Sequence, residues 1–200
     1  MAVNSVNMDT RGAILDAGRD LYLEAGLAGL SMRKVAQRVG LSATAIYRHF
    51  EDKEELVLAI CAKGFSRFSQ YLFRGLEGKT PKARMALSAE AYLDFALEQR
   101  GDYEVMFMTP PRLLGMARVV AHAQDEISAS LQYLVDRVRE CMDAGDFAPD
   151  DPRRIAVTIW SHCHGLISLW LNGLMDGAFV NQVAFGAFYR QSHARLYAGL

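Results

Sequence analysis

Between Leu30 and Lys53 the chain reads LSMRKVAQRVGLSATAIYRHFEDK, and eight of its side chains have the types and spacing to recognise a grooved polyanion. Ser42, Tyr47, His49 and Lys53 are donors suited to phosphate oxygens, and Ser31 opens a helix whose first backbone N–H groups and dipole suit another phosphate. Ala43 and Thr44 are small enough to let a helix approach base edges and meet thymine methyl groups, while Arg48 suits guanine acceptors or a phosphate. From Ser31 to Phe50 there are four cations, Arg33, Lys34, Arg38 and Arg48, and no Asp or Glu. These residue types fit a double-stranded DNA reader, and they also fit a plain helical hairpin with a solvated basic face.

A second set lies further on. Tyr92, Phe95, Tyr103, Met106, Phe107, Met108 and Met116 are soft, adaptable and uncharged, which suits a pocket for a small apolar or aromatic ligand. Each of them taken alone fits ordinary hydrophobic core better, and only the group as a whole points to a pocket. Trp160 and His164 share one helix face at i, i+4, so His164 is either the polar handle of that pocket or a buried histidine bonded to a neighbouring helix. His162-Cys163-His164 does not suit a metal, because consecutive helical residues lie about 100° apart and cannot converge on one ion. No metal or other cofactor is expected.

The elements that must position these residues read as helices throughout. Asp9 to Gly26 carries an apolar stripe of Ile14, Ala17, Leu21 and Ala25, with Asp9 or Thr10 as N-cap and Gly26 as stop. Ser31 caps a second helix with Met32, Val35, Ala36 and Val39 inward; Gly40 ends it, and Ser42 caps a third with Ile46 and Phe50 inward. That is a helix-turn-helix. Asp52 starts a long fourth helix, Gly75 to Pro81 marks a boundary, and a fifth helix runs to Gln99 before a break at Arg100-Gly101-Asp102. Further helices are expected at about Leu113–Ala144, Pro152–Met175 and Asn181–Leu196. The fold class is all-α, about nine helices, divided into a helix-turn-helix domain at 9–54 and a helical ligand-binding and dimerisation domain at 55–200.

The whole chain limits the function classes. Its 200 residues are 51% hydrophobic and 22% charged, as in a folded protein with a sizeable core. Residues 1–53 hold seven Lys and Arg against six Asp and Glu, too few cations for sequence-blind coating of nucleic acid. Cys61, Cys141 and Cys163 are widely spaced and odd in number, which favours small buried hydrophobes in a reducing compartment, and no cationic neighbour marks a thiolate. The first residues lack the pattern of a secretory leader, and no apolar run is long enough to span a bilayer, so a cytoplasmic location is expected. An enzyme would require a nucleophile and base brought together in the C-terminal half, and periodicity brings none together.

Helix one ending in Ala25-Gly26, then Leu30-Ser31, Val35-Ala36-x-x-Val39-Gly40, Ile46-Tyr47-x-His49-Phe50 and Lys53-x-x-Leu56 together resemble the N-terminal domain of TetR-family transcriptional regulators. The resemblance covers about Thr10 to Leu58. It implies a homodimer that grips a palindromic operator through two such modules, with C-terminal helices forming an effector pocket and, through the last two, the dimer interface. It further implies a repressor released by its ligand, with the long fourth helix linking the two functions. Carried over by position, Thr44, Tyr47 and Arg48 face the groove, and Tyr47, His49 and Lys53 meet the backbone. Ala43 departs from the polar side chain common there. Trp160-x-x-x-His164-Gly165 resembles the Trp-His-Gly signature of one group of TetR-family C-terminal domains.

Overall fold

The computed structural model describes residues 2–108, 117–175, 177, 179 and 181–200. Among these the regular elements are all helical: α1 (Ala2–Gly29), α2 (Met32–Arg38), α3 (Ala43–Tyr47), α4 (Lys53–Phe73), α5 (Pro81–Glu98), α6 (Arg100–Tyr103), α7 (Ala117–Asp143), α8 (Pro152–Leu171) and α9 (Gln182–Ala198). A 3-10 turn at Arg74–Glu77 follows α4, and a π-helical segment at Glu104–Met108 continues α6. The chain forms two compact units, one from Met1–Ser66 and Arg100–Glu126, the other from Arg67–Gln99 and Ile127–Leu200.

The first unit is built on α1, whose Ile14, Leu15, Ala17, Leu21 and Tyr22 are buried with Val35, Ala36, Ile46, Phe50, Leu56, Val57 and Ile60. Val105 of the π segment joins the same core. Arg19 Nη1 of α1 reaches Asp102 of α6 at 3.0 Å, and that carboxylate is only 4% exposed. A Cβ on Gly64 of α4 would stand 2.7 Å from Met106 Sδ, so the π segment needs glycine there to lie so close. The second unit packs α5, α8 and α9 together, with Met85, Phe95, Ile159, Ile167, Phe185 and Tyr189 among its buried side chains. Tyr189 donates its hydroxyl hydrogen to the Ala89 carbonyl at 3.1 Å.

Several helix ends differ from the sequence reading. α1 starts upstream of Asp9, because apolar periodicity marks only the part of a helix that carries a stripe, and Ala2–Met8 has no Gly or Pro to interrupt backbone bonding. Gly26 bends α1, at φ 64° and ψ −171°, and a further turn follows it. α3 is shorter than expected, closing with His49 and Phe50 N–H groups both on the Ile46 carbonyl. The break after α5 falls at Gln99, with helix resuming at Arg100. α8 stops at Leu171, where Asn172 and a Gly173 at φ 66° end it.

Candidate nucleic-acid interface and ligand site

The turn between α2 and α3 is fixed by backbone bonds. The Leu41 N–H donates to the Ala36 carbonyl at 2.9 Å and Gly40 N–H to Gln37 at 3.4 Å, a Schellman pattern that needs the left-handed φ of 69° found at Gly40. Ser31 Oγ accepts from Lys34 N–H at 3.3 Å and Ser42 Oγ from Ala45 N–H at 3.1 Å, so both serines act as N-caps. With Ile46 and Phe50 buried, Thr44, Tyr47 and Arg48 stand on the exposed face of the α3 turn, Tyr47 at 54% exposure. Their spacing of i, i+3, i+4 puts the three on one surface. Ala43, His49 and Lys53 are half-buried beside them.

The charges of this module are partly committed. Arg38 grips Glu24 by a two-bonded fork, both bonds 2.8 Å, which holds the Glu24 carboxyl below its usual range and raises Arg38. Lys34 Nζ donates to the Gly29 carbonyl at 2.9 Å and Lys53 Nζ to the Leu27 carbonyl at 2.5 Å, both just beyond the Gly26 bend. Among the described residues, Arg33 and Arg48 have no ion pair and are exposed. These commitments have no local signature in the sequence, since partners such as Glu24 and Arg38 lie 14 residues apart and no short-range pattern couples them.

The residues read as ligand-binding fall into two sets. In the second unit the Trp160 indole N–H donates to Tyr92 Oη at 3.2 Å, and Tyr92 Oη lies 3.3 Å from His164 Nδ1. Because an indole only donates, the Tyr92 hydroxyl oxygen accepts from it, and the same hydroxyl pairs with His164 Nδ1, the donor there set by the His164 tautomer. Burial pushes His164 below the ordinary histidine range, so the neutral ring is favoured. Phe68 meets Tyr92 edge-on at 5.5 Å and Phe95 at 5.0 Å. In the first unit Tyr103, fully buried, contacts Phe107 at 5.3 Å, and Phe107 meets Phe65 at 6.1 Å, with Met106 over Gly64. Met116 lies outside the described residues.

Residues 14–60 match the family model described as bacterial regulatory proteins of the tetR family, and residues 85–190 match the tetracyclin repressor-like C-terminal domain. The chain belongs to the TetR family. The chain is 26% identical to the transcriptional activator FasR of Mycolicibacterium smegmatis over 120 residues, covering 58% of this chain and 55% of that one. It therefore spans little more than half of that relative's length. The regulator RutR of Escherichia coli is 26% identical over 155 residues, covering 74% and 69%. A solved structure of unknown function from Rhodococcus sp. RHA1 is 31% identical, with TM-score 0.69 over 92% of this chain and 94% of that one. TetR-family relatives are transcriptional regulators and not enzymes.

The TetR N-terminal match contains all eight residues of the candidate interface, and the C-terminal match contains Tyr92, Phe95, Tyr103, Met106, Phe107, Trp160 and His164. Within the latter, His162-Cys163-His164 diverges: His162 Nε2 pairs with Ser192 at 3.0 Å, Cys163 Sγ with His193 Nε2 at 2.9 Å, and His164 with Tyr92. Burial pushes the Cys163 thiol up to about 12 and Cys61 and Cys141 to about 11, so all three are neutral thiols at physiological pH. Among the described residues no helix is long and apolar enough to cross a membrane.

Proposed function

We propose that the protein is a ligand-responsive repressor that binds a palindromic operator as a homodimer and leaves it when a small, largely apolar or aromatic effector binds. The observation that carries the DNA reading is the capped α3 turn, which displays Thr44, Tyr47 and Arg48 together after the Gly40 turn. In this reading Thr44 and Arg48 read base edges with Ala43 making room, and Ser31, Ser42, Tyr47, His49 and Lys53 hold phosphates. DNA binding resides in residues 9–54, and effector binding and pairing in 55–200. The setting is the cytoplasm.

Pairing through α8 and α9 is supported by their exposed apolar side chains, Val157 and Leu169 on α8 and Val183, 82% exposed, on α9. An effector of few charges is supported by the aromatic surroundings of Tyr92, with the Trp160–Tyr92–His164 chain as the polar element. To empty the operator almost completely, the effector must favour the DNA-incompetent state by roughly 5 kcal/mol.

Selection of bound duplexes from a random pool tests the reading. A palindrome with half-sites about 34 Å apart, one DNA turn, is the expected outcome, and no enrichment would overturn it. A reporter placed behind the selected site distinguishes repression from activation: loss of the regulator should raise expression. An effector that binds free and operator-bound protein equally well would remove the ligand-release part.

A further inference from the structure

The interface read from the motif stops at α2, α3 and the start of α4. One further cation stands beside it. Arg11 of α1 is exposed, and its guanidinium carbon lies 4.6 Å from the centroid of the Phe50 ring, at the C-terminal end of the α3 turn. Phe50 is itself a core residue, buried with Ile14 and Ile46 and anchored by its N–H on the Ile46 carbonyl. The ring therefore offers a rigid platform, and a guanidinium resting on an aromatic face is oriented without being neutralised, because the ring has no net charge.

Like Arg33 and Arg48, Arg11 has no ion pair among the described residues, and five other cations of this unit contrast with it. Arg38 is spent on Glu24, Arg19 on Asp102 and Asp20, and Lys63 on Asp16, each an ion pair that cancels the field. Lys34 and Lys53 each give a hydrogen to a backbone carbonyl. In a module whose net charge is close to zero, the cations left unneutralised decide where a phosphate is attracted. Among the described residues Arg11 has no ion pair and is one of these, held over the Phe50 ring just past the end of the α3 turn.

We infer that Arg11 is a phosphate-contacting residue that extends the DNA footprint from the helix-turn-helix onto α1, with Phe50 as the platform that holds its guanidinium ready. The inference rests on the DNA-binding reading. A phosphate contact is blind to sequence, so it is measurable before any operator is known. The contact adds one neutralised phosphate per module, and loss of the charge lowers the slope of log affinity against log salt by about 0.9 for each bound module.

The test uses full-length protein, a fluorescein-labelled duplex of random sequence about 30 base pairs long, and a salt titration of binding for the unaltered chain, Arg11→Gln and Arg11→Lys. Arg11→Gln should bind more weakly with the salt slope reduced by about 0.9 per module, while Arg11→Lys keeps the slope of the unaltered chain. Thermal melting of the same samples separates the simpler role. If Arg11 only covers the Phe50 ring, both variants melt lower and all three slopes coincide, which overturns the inference and leaves DNA binding intact. If the unaltered chain binds no duplex, the DNA-binding reading fails and this inference with it. Should Arg11→Gln fold poorly, Arg11→Met, which keeps an unbranched apolar stem against the ring and removes the charge, decides: a slope reduced by about 0.9 per module supports the contact, and an unchanged slope overturns it.

Discussion

Lys53 has two tasks that a single substitution will expose. Its ammonium donates to the Leu27 carbonyl, tying the start of α4 to the chain just after the Gly26 bend, and in the proposed interface it also meets a phosphate. Lys53→Ala should therefore weaken every duplex by a similar factor and also lower stability by about 1 kcal/mol for the lost carbonyl partner, whereas Tyr47→Ala, at an exposed position, should weaken binding with little change in melting. Thr44→Ala or Arg48→Gln should instead change which sequences are enriched in a selection. If all four leave both affinity and preference unchanged, the assignment of this face is wrong. At this scale the caps Ser31 and Ser42 and the outward Thr44, Tyr47 and Arg48 were readable from spacing, because capping and helix phase are local. The grips of Arg38 on Glu24 and Lys53 on Leu27 were not, because they depend on which helices meet in space.

The turn between α2 and α3 depends on Gly40, whose φ of 69° costs any residue with a Cβ about 1–2 kcal/mol. No atom lies within 4 Å of a Cβ placed there, so the cost is backbone strain alone. Gly40→Ala should lower the melting temperature by a few degrees, and Gly40→Asn by less, since Asn tolerates this region better. The α8–α9 pair makes a separate prediction about acid. Burial lowers His193 to about 4 against an ordinary 6.5, and burial also lowers His162 and His164. The unfolded chain thus binds protons below pH 6.5 that the folded chain refuses. Stability should be full above pH 6.5 and decline as pH falls toward 4, by on the order of 3 kcal/mol for His193 alone. Denaturant titrations across that range check it, and a flat profile would contradict a neutral buried His193. Helix existence and phase were legible here, while the caps Thr80 and Asn181 emerge only in the structure. The resumption of helix at Arg100 and its π continuation were not, because Asp102 looks like a breaker until Arg19 is seen to satisfy it.

Across the whole molecule, the all-α class and the family were readable from periodicity and the motif around Gly40. The membership of the two compact units was not, since it depends on contacts between segments remote in sequence. A fragment of residues 9–54 lacks Leu56, Val57, Ile60, Cys61 and Val105, all buried in the core that holds Ile14 and Val35. Such a fragment should show little cooperative melting by circular dichroism, and a sharp transition would mean that the core closes without them. The chain passes from one unit to the other at 66/67, 99/100 and 126/127. For recombination this has a direct result: a gene cut once after the recognition motif transplants α1 to α3 without Asp102, the acid that answers Arg19, and without Val105. Grafts that carry 100–108 together with 1–66 keep those partners matched, so a hybrid regulator assembled from two such chains needs two exchanged segments instead of one.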